Sequence, residues 1–526
     1  MLNKVIWVLS IIMASALFFN VVGQSADRIE LPVPTGSGGY MTLPMGEKGV
    51  LLISKPEKNT YRVRKFGTNL DEVYSIDGVI ENGLDFVTAT YDGNAAFLLF
   101  SRYRSSLYQI VKVNVTPGFI ETFTINTTDR FEITDFKSLG YSIYMAGTVR
   151  NEPVLLHTNL LNLQTRILPS LIKGSNAIQS IEVDTTNRLV TVSFAVKQSK
   201  QTRLLARTYD EAGTLFSEIL IEPEDDYSLL SGRLQVLNDN ESLMIGTYGY
   251  RNMQSTAASA SQGLYITKIE NNSISYTRYY SFTDFENFFN FMGERQQEKM
   301  ERKIQRKKES GDDVKLNYRL LVHNIIATPD QYLLVAEVFY PEYKSNNNMY
   351  GMNSFMGNPW MYGMPFGMGL YNPWLWNPLY GGRGGYTNQV FDGFVYTHAI
   401  VAGLSKNGDL LWDNSINFEK IKSMELTRKV NVQPLDDGQV RLVFGNGSQL
   451  NSKVIRGKSV TDTEAGIELL TSMEGDKVRR STVDAVSYWY GNYYLAWGQQ
   501  RIVNAQSGAI DTRGRRDVFY LNKIPF

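Results

Sequence analysis

Cysteine is absent from all 526 residues, and histidine occurs only three times. Without a thiol there can be no thiol nucleophile, no thiolate metal site and no lipidation on an N-terminal cysteine. Disulfides are excluded too. Large secreted eukaryotic proteins normally carry them in their oxidising compartment, so export of this chain points to a bacterial envelope. Charge imbalance is also missing, with 53 Lys and Arg against 53 Asp and Glu. A neutral chain has no global field to draw nucleic acid, and no nucleic-acid partner is expected. Beyond residue 22 no run is apolar enough to span a bilayer, so the mature chain is not expected to be a transmembrane protein.

The opening residues read as a targeting signal. Lys4 supplies the positive region, and an apolar run from Val5 to Val22 follows, broken only by Ser10, Ser15 and Asn20. Val21 and Gly23 stand at −3 and −1 of a cleavage site before Gln24. The competing reading is an uncleaved anchor, since the run approaches the ~20 residues a spanning helix needs. The small and polar residues in its second half favour cleavage. Residues 1–23 are therefore expected to be a signal peptide and 24–526 a single domain. The exported chain would be periplasmic, outer-membrane-associated or extracellular.

What is present is a repeat. Short apolar strands recur as Gly49–Ser54, Ala96–Ser101, Ser142–Gly147, Leu189–Phe194, Ser242–Thr247, Tyr332–Glu337, Val440–Gly445 and Tyr493–Gly498, at intervals of 47, 46, 47, 53, 90, 108 and 53. Five of the seven intervals lie near the ~40–50-residue period of propeller blades. Each unit shares one grammar: an inner strand such as Leu84–Tyr91, a tight turn such as Asp92-Gly93-Asn94, the apolar second strand, then third and fourth strands. A second strand apolar at nearly every position suits a sheet covered on both faces. The last unit stops one strand short, while Arg28 to Val33 is an orphan patterned like the fourth strands. The economical fold is an all-β, eight-bladed β-propeller whose N-terminal strand closes the last blade. It has seven blades if one weak unit is not a blade; a β-sandwich or two-domain β protein is the alternative.

Two intervals are stretched by insertions. Residues 285–316 hold a charged helix, Glu294 to Glu309, with seven basic and four acidic residues. It is preceded by Phe285, Phe288, Phe289 and Met292. These read either as anchors of a solvated helix or as part of a docking helix for an anionic surface. Residues 342–390 are rich in Met, Gly, Asn, Pro and aromatics, and too apolar for a solvated linker. Alternating strand direction places both insertions, and a smaller one at 250–262, on one face of adjacent blades. Insertions gathered on one face mark a binding side. The partner-binding candidates are Trp360, Tyr362, Phe366, Trp374, Trp376, Tyr380, Phe288 and Phe289. A sharper alternative is Cu(I) capture by the thioethers of Met349, Met352, Met356, Met361, Met364 and Met368. Glycan stacking on the aromatics and peripheral outer-membrane contact are further readings of the same loop.

Catalytic signatures are sparse. His157, His323 and His398 fall alone in strands, and no zincin spacing, nucleophile elbow or phosphate loop occurs. A carboxylate pair at the ring mouth would allow glycan cleavage. No cofactor and no resident metal are expected. The units lack the Trp-Asp signature of WD40 repeats and the double glycine of kelch repeats. Asn407-Gly-Asp-Leu-Leu-Trp412 and Gln506-Ser-Gly-Ala-Ile-Asp511 resemble the turn-plus-Trp motif of quinoprotein-like propellers. Within that group, the propeller scaffold subunit of the outer-membrane β-barrel assembly machinery is also eight-bladed and non-enzymatic; it carries an N-terminal lipid, which this cysteine-free chain cannot. The resemblance implies a non-enzymatic scaffold that binds a protein partner in the bacterial envelope. A glycan-binding or glycan-cleaving propeller is the competing expectation.

Overall fold

The computed structural model describes residues 28–33 and 40–526, apart from 103–104, 117, 151, 170–174, 252–259, 312–313, 346–388, 424–425, 436–437, 447–448, 470, 473–474, 483–484 and 504–513. The described chain forms eight antiparallel sheets. Blade one comprises Met41–Pro44, Val50–Ser54, Thr60–Phe66 and Glu72–Val79, inner to outer, and the pattern repeats around the ring. The expected second strand of every unit occupies the second position of a sheet, so all eight units are blades. The apolar signal arises from burial on both faces. In blade two, Ala96, Leu98 and Phe100 pack toward blade one, whereas Ala95, Phe97 and Leu99 pack toward blade three. Eight such apolar clusters, one per seam, complete the circle.

Closure follows the orphan-strand expectation. Arg28–Pro32 pairs antiparallel with the last strand, Arg515–Pro525, running from Arg28 opposite Asn522 to Pro32 opposite Val518. A buried polar cluster fixes the register. The Arg28 guanidinium donates to Asn522 Oδ1 (3.0 Å) and Gln500 Oε1 (2.6 Å) and pairs with Glu30 at 2.9 Å. Arg516 joins Glu30 to Asp476. Burial would raise the Glu30 carboxyl, yet Arg28, the Ser472 amide and Arg516 hold it below the usual range. Trp489 Nε1 then donates to Gly49 O, linking blade eight to blade one.

Inner strands are kinked in several blades. In blade five the strand is split into Tyr227–Leu229 and Arg233–Asn238, and in blade eight into Lys477–Ser481 and Ala485–Tyr490. The kink pushes a carbonyl toward the second strand, and a glycine makes room for it. A Cβ on Gly246 or Gly498 would collide with Ser231 O or Thr482 O. A third-strand tyrosine catches each displaced carbonyl, Tyr265 at 3.0 Å and Tyr520 at 2.7 Å. The glycines near the ends of second strands, Gly147, Gly246 and Gly498, are thus close-approach residues.

Candidate interaction face

The distinctive sector lies at blades five and six. The second and third strands of blade six run Tyr332–Ser345 and Gln389–Leu404, far longer than their counterparts elsewhere. The inner strand stops at Arg319 opposite Phe339. The hairpin continues through Ser345 opposite Gln389, six residues further. At ~3.3 Å per residue the arm stands roughly 20 Å clear of the inner strand. The outer strand Leu410–Ser423 braces its base as far as Phe394. Strand pairing therefore claims Glu342–Ser345 and Gln389–Val390, which sequence assigned to the 342–390 loop. Pro341 lies past the last inner-strand pair, where one edge is open and a missing N–H is tolerated. Lys422 bridges Glu342 and Asp392 across the arm, and Lys344 pairs with Asp392 at 2.7 Å. Hydrogen bonds from Lys344 and Lys422 hold the Asp392 carboxyl below its ordinary value.

The roots of all three insertions emerge on one face, because second-to-third loops and blade-to-blade connections leave the same ends of alternating strands. The 285–316 insertion does not stay there. Its aromatic start fills the seam between blades five and six. Phe282 and Phe288 stack at 4.6 Å, and Phe288 meets Phe289, Tyr318 and His398 edge-on. Asp413, on the outer strand of blade six, accepts from the Glu286 and Asn287 amides at 2.9 and 2.7 Å. Lys458, in a turn of blade seven, reaches Glu286 at 2.7 Å. Gln262 and Leu316 exchange hydrogen bonds, so the return of the insertion is tied to the smaller loop.

Phe288 and Phe289, named as partner-binding candidates, are 0% and 5% exposed. They anchor the insertion and present no open surface, because apolar side chains find the splayed seam before they find a partner. Trp360, Tyr362, Phe366, Trp374, Trp376 and Tyr380 lie outside the described residues, as do the six candidate copper-binding methionines, Met349 to Met368. The helix Glu294–Glu309, here α1, is where the charge pattern placed it. Its half-buried residues are Gln297, Met300, Ile304 and Lys307. The last turn, Arg306 to Lys308, places cations at the negative end of the helix dipole. Gly311 follows at φ +71°, the left-handed stop that favours glycine.

Each histidine is committed to the fold. His157 Nε2 lies 3.2 Å from Ser142 Oγ and 3.1 Å from Glu211 O. His323 Nε2 donates to Glu337 at 2.7 Å. Glu337, wholly buried on the second strand of blade six, also accepts from the Lys429 and Val430 amides, pinning blade six to blade seven. His398 stacks on Phe291 at 4.1 Å and bonds Thr397 through Nδ1, while its Nε2 has no partner among the described residues. Burial lowers all three, His398 to about 3, so the imidazoles are neutral. In the channel, Asn324 Oδ1 accepts from Arg233 (2.7 Å) and Arg428 (2.8 Å), and Arg233 neutralises Glu182 at 3.0 Å. No metal-holding group of three or more His, Asp or Glu forms among the described residues.

Sequence reasoning missed Asp413, Glu337 and Phe291. Only Asp413 had a visible signal, as the neighbour of the Asn407–Trp412 turn. Trp412 is half-buried there, its Nε1 donating to Gln331 Oε1 at 3.0 Å over the bare Cα of Gly403. The second turn motif, Gln506–Asp511, lies outside the described residues.

No protein-family model matches the chain, and no curated protein does. Among solved structures, the polysaccharide lyase Uly1 aligns at 8% identity and a TM-score of 0.35, covering 85% of this chain and 91% of that one. The β-propeller domain of Vanderwaltozyma polyspora Nup133 aligns at 11% identity and a TM-score of 0.37, covering 81% and 91%. Cobalt-substituted Synechocystis ACO aligns at 8% identity and a TM-score of 0.30 over 46% of this chain, which spans 62% of that enzyme.

Proposed function

We propose that the protein is a non-enzymatic scaffold of a bacterial envelope, exported by its N-terminal signal, that holds a protein partner on the sector built by blades five and six. The observation that carries this reading is the arm, Tyr340–Ser345 with Gln389–Val395, projecting beyond the rest of the described ring. A two-stranded projection is costly to maintain without neighbours, since isolated hairpins are marginal in water. Bracing by the outer strand and by the Lys422 ion pairs keeps it standing. What it carries, residues 346–388, has the Met and aromatic composition of adaptable interfaces. The resemblance to the scaffold subunit of the barrel-assembly machinery points the same way.

The test replaces residues 346–388 by an Asn-Gly turn, which a two-residue hairpin accepts. Ring folding is checked by circular dichroism, and both forms are used for affinity capture from envelope extracts. Loss of a specific co-purifying protein from the shortened form supports the proposal. Retention of every co-purifying protein by a folded, shortened ring ends it.

A further inference from the structure

We propose that the outward face of α1 is a docking track for a linear acidic polysaccharide, one bearing a carboxylate on each sugar. The inference is independent of the protein-partner reading, because it uses none of residues 346–388.

The anchored face of the helix is set by Gln297, Met300, Ile304 and Lys307. Opposite it, Arg295, Lys299, Arg302 and Arg306 follow one another at steps of four, three and four, so at 100° per residue they share one narrow arc. All four are exposed, and Lys303 stands beside them. At ~1.5 Å rise per residue the row covers roughly 17 Å, with a cation every ~4.5–6 Å.

This row is unfavourable for the helix itself. Arg295–Lys299, Lys299–Lys303 and Arg302–Arg306 are like-charge pairs at i,i+4, each of which destabilises the helix. Compensation on the helix is slight: Arg302 pairs with Glu298 at 3.0 Å, both largely in water. The helix persists because the Phe282–Phe291 wedge holds its start and Met300 and Ile304 hold its underside. A repelling row held in place by unrelated packing is complementary to an external anion.

The shape of the row selects the class of anion. Glu294, Glu298, Glu301 and Glu309 run along one flank, so the cationic surface is only one helix wide. A flat anionic bilayer would meet those carboxylates as well as the cations. The outward arc has no apolar residue to enter a bilayer and no aromatic on which a base could stack. A single flexible chain with charges repeating along its length follows the track and avoids the acidic flank. Three of the four cations in the row are arginines, whose planar forks bind carboxylates in bidentate fashion.

The experiment uses the full exported chain and a variant with Arg295→Gln, Lys299→Gln, Arg302→Gln and Arg306→Gln. Binding to polyuronate, neutral dextran, phosphatidylglycerol vesicles and single-stranded DNA is measured by calorimetry at low and physiological salt. The wild-type chain should bind polyuronate, weaken with salt and ignore dextran. The variant, melting at the same or a slightly higher temperature, should lose roughly tenfold or more of that affinity. Arg62→Gln with Arg501→Gln, exposed charges on other blades, should change nothing. Equal binding by the quadruple variant overturns the proposal, as does absent binding to polyuronate. Tighter binding to vesicles or DNA than to polyuronate overturns it as well. The ring with 346–388 replaced should bind polyuronate unchanged, so failure of one proposal leaves the other standing.

Discussion

Two seams of the same ring are built very differently. Between blades five and six, twenty buried apolar side chains form one cluster among the described residues, and four of them are the phenylalanines Phe282, Phe285, Phe288 and Phe289. Between blades seven and eight the corresponding cluster holds five among the described residues: Leu450, Leu469, Ala496, Tyr520 and Ile524. Beside that seam lies a cavity of about 150 Å³ lined by Arg441, Ser452, Asp462, Glu464, Pro525 and Phe526. Repeat proteins distribute stability by interface, so the ring is stiffest at five and six and softest at seven and eight. The insertions stand on the stiff seam. In the proposed role, a partner held there would meet a pre-organised surface, while the ring can relax two blades away.

The most damaging way to break the comparison is Phe288→Ala. The side chain is fully buried and touches Phe282, Phe289, Tyr318 and His398. Truncation of such an aromatic costs ~3–5 kcal/mol. Denaturant unfolding should show the loss, and hydrogen exchange should show the Glu294–Glu309 amides released first. If exchange at blades seven and eight rises before that of the helix, the ranking of the seams is reversed.

A smaller effect is set by pH at the same seam. Burial holds the folded His398 at about 3, against an ordinary value of 6.5. Between those limits the unfolded chain binds a proton that the folded chain refuses. The stability contribution is complete above pH 6.5 and is lost as pH falls toward 3, by up to ~1.4 kcal/mol per pH unit. His157 and His323, also lowered by burial, act with the same sign. His398→Phe keeps the stack on Phe291, removes the unpartnered Nε2 and should flatten the dependence between pH 6 and 4. An identical pH profile for the two proteins would falsify the assignment of that proton to residue 398.

The architecture was legible because its signal is physical and repeated. A second strand buried on both faces must be apolar throughout, as Ala95–Ser101 is, and a strand missing at one end must be supplied by the other, as Arg28–Pro32 is. The site was legible only in outline. Helical charge patterning located Glu294–Glu309, but nothing local distinguishes a phenylalanine that waits for a partner from one already inside a seam. Phe288 and Phe289 were read both ways for that reason. Asp413 and Glu337 escaped altogether, since their roles depend on amides far away in sequence, at Glu286 and Asn287 for one and at Lys429 and Val430 for the other.

The smallest expected effect sharpens the comparison from the soft side. Arg441 lies on the second strand of blade seven, its guanidinium carbon 5.7 Å from the centre of the Phe526 ring and its Nε buried without a partner among the described residues. An unsatisfied buried N–H costs ~1–3 kcal/mol, more than the ~0.5–1 kcal/mol an exposed cation–π contact returns. Arg441→Met removes the orphaned donor and extends an adaptable apolar chain into the cavity, while Asp462 and Glu464 remain solvated at its rim. A stabilisation of about 1 kcal/mol should appear as a higher denaturant midpoint with an unchanged slope. Slower exchange should be confined to Gln449–Arg456 and Arg515–Pro525, the third strands on either side of the seam. The same variant should leave the Phe288→Ala penalty untouched, because distant seams add independently. A lower midpoint would mean that Arg441 supports the seam, and that the cavity is not the reason this side of the ring is soft.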